Sequence, residues 1–358
     1  MHRVIAPAGP SRSLLRSLPS LRHGWIPVLL LALHAALPPS AAMAADPIPI
    51  KLATLAPEGT AWIKILRAMT KEVEEKLEGR VKFTVYGGGV QGTEKIVVQK
   101  MKTGQLQGGA LTVVGLSSIA PEIMALNLPM VFSSDEHMAA TRAALGDRLE
   151  KKIWDNGYKM VNWGGVGAFY LFSKHPIRSP DDLVKGRIWV WNGDPVFNEM
   201  ALEIGAAPIP LGVPDVLSAL NTGQVDTVLM NPLALVSLQW FTQMKYRMSE
   251  PILFGVGGLA IARSTWEKLT PGDQEIFLAI NKKWAKVHMK KSRRDNERAI
   301  QLVDNQGIEV ITPSPIELAS WKEASARTWD RLAGRVYSKE LLREMLQHRD
   351  QLRAASTP

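Results

Sequence analysis

The apolar positions of this chain switch repeatedly between two periods. Ile48 to Thr54 reads as a strand. After the turn Pro57-Glu58-Gly59-Thr60, the residues Trp62, Ile65, Leu66, Met69, Val73 and Leu77 recur at helical spacing, with Lys71, Glu72, Glu75 and Lys76 on the other side. Gly79 stands where a helix C-cap glycine belongs, and Val81, Phe83 and Val85 then alternate as a strand does. Strand, helix, strand in this order predicts parallel pairing through a right-handed crossover. A helix from Thr93 to Thr103 and a strand from Gly108 to Val114 continue the series. Ser134-Asp135 caps one long helix through Leu145, Leu149 and Ile153, ending at Gly157.

Lys159–Trp163 and Gly167–Ser173 are both extended, and the second is almost wholly apolar, as a strand buried on both faces is. The pattern is sharpest at Arg187-Ile188-Trp189-Val190-Trp191. Ile188 and Val190 take one face, and Arg187, Trp189 and Trp191 the other. Asn192-Gly193 ends the strand, and Asp194-Pro195 opens a helix with an N-cap carboxylate and a proline at its first position. Ligands of α/β sheets gather where strands end at helix N-termini, so Trp189 and Trp191 are candidate pocket walls as well as candidate core. The alternation resumes with a helix carrying Phe197, Met200 and Ala201, a strand at Ala207–Leu211, a helix at Pro214–Thr222, a strand at Val225–Met230 and a helix from Asn231-Pro232.

Leu253 to Ala262 contains Gly255, Gly257 and Gly258 and is expected to cross between two lobes. Thr270-Pro271-Gly272-Asp273 begins a helix running to Val303, about 45 Å at 1.5 Å per residue, long enough to bridge them. A strand at Ile308–Ile311 and helices carrying Trp321, Trp329 and Leu342 close the chain. The fold class that follows is α/β, two-lobed, with a long inter-lobe helix. The expected division is residues 1–44 as a signal peptide, 45–166 plus 257–296 as lobe I, 167–256 plus 297–350 as lobe II, and 351–358 as a tail. The crossings near Gly164–Gly167 and Gly255–Gly258 are the expected hinge.

Charge and composition narrow the function. The 358 residues are 46% apolar and 22% charged, with no cysteine and a formal charge of +9. No disulfide, thiolate nucleophile or cysteine-bound metal is available. Arg3, Arg12, Arg16 and Arg22 lie in the first 44 residues, which carry no acid, so +5 remains on the rest. That excess is an ordinary solvated surface and gives no case for nucleic acid. The same 44 residues have a basic start, an apolar run from Trp25 to Leu37 and Ala42-Met43-Ala44, the pattern of a cleaved secretory signal. The protein is therefore expected in the periplasm.

Enzyme chemistry is thin. His137, His175, His288 and His348 show no metal-ligand spacing, and there is no nucleophile elbow. Gly87-Gly88-Gly89-Val90-Gln91-Gly92 lacks the lysine and hydroxyl of a phosphate loop, so a tight turn or a close approach to a small ligand is expected, with no cofactor.

Four runs carry a family resemblance. They are Gly79-Arg80-Val81-Lys82-Phe83-Thr84-Val85-Tyr86-Gly87-Gly88, Asn127-Leu128-Pro129-Met130-Val131-Phe132, Pro176-Ile177-Arg178-Ser179-Pro180-Asp181-Asp182-Leu183, and Ala219-Leu220-Asn221-Thr222-Gly223-Gln224-Val225-Asp226. Residues 50 to about 335 resemble the solute-binding proteins of tripartite ATP-independent periplasmic (TRAP) transporters, of the dicarboxylate-binding type. The resemblance implies two lobes closing on a small organic anion. It also implies delivery to an integral membrane permease and no enzymatic role. The alternative is a periplasmic enzyme or sensor partner on the same fold.

In that family an arginine after the Asp-Asp-Leu helix clamps a ligand carboxylate. Here its position holds Trp189, with Arg187 two residues earlier. A second arginine, of the sialic-acid branch, aligns with Phe169, and the family's asparagine falls near Asn231. The expected ligand contacts are therefore Trp189 and Phe169, with Trp62, Gln91, Trp191, Asn192 and Asn231 behind them and Arg187 as the one remaining route to a carboxylate clamp. An aromatic pocket of this kind favours stacking and neutral hydrogen bonds over dicarboxylates.

Overall fold

In the computed structural model, residues 46–355 are described, so the expected signal segment lies outside the described residues. Ten strands are present among them: β1 (Ile48–Thr54), β2 (Val81–Tyr86), β3 (Gly108–Thr112), β4 (Tyr158–Ser173), β5 (Ile188–Trp191), β6 (Pro208–Leu211), β7 (Thr227–Met230), β8 (Tyr246–Met248), β9 (Leu253–Ala262) and β10 (Glu309–Ile311). They hydrogen-bond in the order β2-β1-β3-β9-β4-β7-β5-β6, with β8 on β4 and β10 on β8. β1 pairs in parallel with both β2 and β3, as the helix Ala61–Lys76 between β1 and β2 requires.

Two lobes share β4 and β9. The first half of β4 and the second half of β9 belong with β1, β2 and β3, and the other halves with β5, β6, β7 and β8. The two extended segments expected on either side of Gly164–Gly167 are one continuous strand. Its pairing with β9 slips between Met160 and Asn162 and again between Gly165 and Gly167, two bulges at the crossing. The glycines of β9 have a steric cause there. A Cβ on Gly257 would stand 2.5 Å from the Leu111 carbonyl oxygen, and one on Gly258 would stand 2.3 Å from that of Asn162. Both glycines let three backbones pack edge to edge.

The helix Pro271–Asn305 is 35 residues long, about 52 Å at 1.5 Å per residue. Thr270 caps it by accepting the Asp273 N–H. Phe277 and Ile280 sit in the apolar cluster of the first lobe with Ile50, Leu52 and Val73, while Val303 sits in that of the second with Leu171, Phe172 and Met200. One rigid element is thereby anchored in both cores.

Three local expectations change. The helix expected from Ser134 to Gly157 is two, Asp135–Ala144 and Gly146–Asp155, broken where glycine follows Leu145. The strand expected to Val114 ends at Thr112, because the Glu94 carboxylate takes the N–H groups of Thr112 and Gly115 and turns the chain into the short helix Val113–Ser117. The C-terminal helix Lys339–Ala355 takes in the described part of the expected tail, to Ala355. It inserts Leu341, Leu342 and Met345 among Leu145, Leu149 and Ile153, on the first lobe.

Candidate functional site

A cavity of about 170 Å³ lies where β1, β3, β5 and β7 end, between the lobes. The Ala61–Lys76 helix contributes the expected contact Trp62 together with Ile65, Leu66 and Met69, which the sequence pattern marks only as a core face. β4 and the residues around its bulge contribute Asn162, Trp163, Val166 and Phe169. The second lobe adds Trp191, Val213, Met230 and Asn231, and the long helix adds Trp284 and His288. The wall is thus mostly apolar and aromatic.

Its polar groups are few and mostly committed. Asn231 is buried and caps the helix Pro232–Ser237, its Oδ1 accepting the Ala234 N–H at 2.9 Å, while its Nδ2 has no partner among the described residues. Trp62 Nε1 donates to Ser292 Oγ at 3.4 Å. Asn162 donates to Asn281 and accepts from the Leu259 N–H. Glu94 is buried, and its oxygens accept from the Thr112 hydroxyl and from two backbone N–H groups. Burial still pushes its carboxyl above the ordinary range, the hydrogen bonds pulling the other way. His288 shows the reverse effect, its imidazole lowered to about 4 by burial. Glu94 and His288 are the titratable groups in this wall, and among the described residues no lysine or arginine lines it.

The expected site residues divide into two sets. Trp62, Phe169, Trp191 and Asn231 meet at the cavity. Trp189, Arg187, Gln91 and Asn192 are not in its wall. Trp189 is 2% exposed, with its Nε1 donating to the Leu211 carbonyl at 3.1 Å and its ring edge-on to Trp240 at 5.1 Å. It stands behind Trp191, ring centroids 5.9 Å apart, and borders a small side cavity of about 30 Å³ that also touches Phe169 and Asp194. Its position is that of a core tryptophan supporting the half-buried Trp191.

Arg187 precedes β5, and its guanidinium turns to Asp226 at 3.0 Å, a bond that removes it from the cleft. Gln91 binds Lys100 through both its side-chain and backbone oxygens, and Asn192 is exposed. The glycine-rich turn before Gln91 spends its N–H groups on β1 and the residues after it, Gly88 on the Ala56 carbonyl and Gly89 on that of Thr54. It is a tight turn. The sequence reading missed Glu94, Trp163, Trp284 and His288 as cavity residues. Each lies on an element whose own periodicity was legible, but nothing local marks which helical turn faces a neighbouring lobe.

Two α/β lobes joined by crossing strands and a bridging helix, with a cavity between them, define a bilobed solute receptor. The chain belongs to the bacterial extracellular solute-binding protein family 7, whose model matches residues 52–335, and within it to the TRAP-transporter type. A solute-binding protein of Chromohalobacter salexigens is 28% identical over 60% of this chain and 64% of its own length. One from Roseobacter denitrificans is 30% identical over 68% of this chain and 75% of its own. A TRAP periplasmic solute-binding protein from Sulfitobacter, solved with bound β-D-galacturonate, superposes with a TM-score of 0.77 at 22% identity, covering 84% of this chain and 99% of that one.

Proposed function

We propose that this chain captures a small organic acid with an apolar, ring-sized body in the inter-lobe cavity and delivers it to the integral membrane subunits of a TRAP transporter. The observation that carries this reading is the wall itself, where Trp62, Trp163, Phe169, Trp191 and Trp284 surround about 170 Å³. That volume is close to the ~150 Å³ of an engineered apolar cavity that admits benzene. The acid comes from the relative that holds galacturonate, and the apolar body from this chain's own residues. Without an arginine fork, a dicarboxylate would forgo charge-assisted hydrogen bonds of roughly 1.5–3 kcal/mol each.

Residues 45–166 with 257–296 and residues 167–256 with the end of the long helix are the halves that close, flexing at the β4 bulges. Cleavage after Ala44 releases the mature chain to the periplasm. Calorimetry with phenylacetate, phenylpyruvate and succinate tests the reading. The two aromatic acids are expected to bind more tightly than succinate. Trp191→Ala is expected to weaken them by about 1–2 kcal/mol, roughly tenfold in Kd. Tighter binding of succinate, or indifference to Trp191→Ala, refutes the reading.

A further inference from the structure

His288 lies one turn beyond Trp284 on the long helix, and both reach the cavity. Its ring packs at a tilt against Trp62, centroids 5.3 Å apart. Its Nδ1–Cε1 edge faces Gly164, where a built Cβ would stand 3.4 Å from Nδ1. Neither ring nitrogen has a hydrogen-bond partner among the described residues. A neutral imidazole carries one donor and one acceptor, and in this half-buried residue neither is held by another side chain or by the backbone. The group is therefore available to whatever enters.

The charges around it define what that partner needs. Trp62 and Gly164, its nearest neighbours from the two facing elements, carry none. Glu94 is the other titratable group of the wall, and its oxygens are spent on Thr112 and Gly115. A carboxylate entering this cavity meets no arginine or lysine among the described residues, and burying it unpaired is strongly unfavourable.

We propose that His288 replaces the missing arginine: the carboxyl group of the solute enters the cleft with one proton, shared between it and the His288 imidazole. The proposal rests on the reading of the solute as an organic acid. The balance is simple. One carboxylate and one proton from solvent join a neutral imidazole, giving an imidazolium–carboxylate pair with no net charge, and only a hydrogen bond is formed. Affinity then falls as pH rises, by about tenfold per unit for one linked proton.

Calorimetry of phenylacetate and phenylpyruvate with the full chain, in buffers of different ionisation enthalpy from pH 6 to 8, reads the linked proton directly. Wild type is expected to take up about one proton per acid bound at pH 7 and to lose about tenfold in affinity per pH unit. His288→Gln is expected to bind more weakly with uptake near zero, and phenylacetamide should bind wild type without uptake. The His288 Cε1 proton resonance, followed in wild type alone, should move to the imidazolium position on saturation with phenylacetate. Binding of either acid without uptake, or with the same uptake in His288→Gln, overturns the role of His288 while leaving an acid receptor. Failure of both acids to bind at any of these pH values removes the acid reading and the His288 role with it.

Discussion

Replacing Asp194 by asparagine isolates one buried charge. Asp194 is 8% exposed and caps the helix Pro195–Glu203, Oδ1 accepting from Val196 at 2.8 Å and Phe197 at 3.1 Å, while Asn127 Nδ2 donates to Oδ2 at 3.3 Å. A helix N-terminus and two N–H bonds hold a carboxyl down, yet burial wins and raises it from 3.8 to about 6. A group raised on folding gives its full stabilisation below its unfolded value and loses it as pH climbs through its folded value. The shift of about 2 units at 1.36 kcal/mol each is about 3 kcal/mol, lost between pH 4 and pH 6.

Asparagine keeps the cap acceptor and has no charge to bury. Its amide requires Asn127 to turn over and accept, an offset of about 1 kcal/mol that does not depend on pH. Urea unfolding followed by tryptophan fluorescence at pH 4, 5, 6 and 7 should show Asp194→Asn gaining about 3 kcal/mol relative to wild type across that range. His288 works the other way, since its folded value is lowered to about 4 and its contribution is lost as pH falls through it. His288 and the raised carboxyl of Glu94, which acts in the same direction as Asp194, are common to both proteins and cancel in the difference. A wild-type-to-variant difference that stays constant from pH 4 to 7 refutes the reasoning.

Gly257→Ala should lower the melting temperature by several degrees, a loss of about 2 kcal/mol or more, because its Cβ meets a backbone oxygen that cannot move aside. Unchanged thermal melting would count against the packing argument. Asn296→Ala should cost about 2–4 kcal/mol in urea unfolding, since its amide serves the Leu233 N–H and the Val166 carbonyl together and leaves both unmet when removed. Arg187→Ala should cost no more than about 1 kcal/mol, its guanidinium being exposed, and should leave the calorimetric affinity for phenylacetate unchanged. Loss of binding in Arg187→Ala would return that residue to the site.

The sequence by itself determined the elements and the class. Periodicity placed the strands around Ile48, Val81, Trp189 and Val228 and the helix from Thr270. Local chemistry placed the caps at Asp194, Asn231 and Thr270, where one side chain and the next three residues suffice. The motifs then pointed to the family. Trp189 and Trp191 show where that information stops. They share a strand face and a residue type, yet one is sealed against Trp240 and Leu211 and the other opens on the cavity. Period two distinguishes the faces of a strand but not positions along one face, and what covers each position comes from elements about 20 to 50 residues away.

The same holds for Arg187, whose partner Asp226 is 39 residues on, and for His288, which an amphipathic pattern reads as one more surface turn of a long helix. Only the packing of that helix across both lobes brings His288, Trp62 and Gly164 together. A cavity is made of long-range contacts, and no local window of sequence contains them.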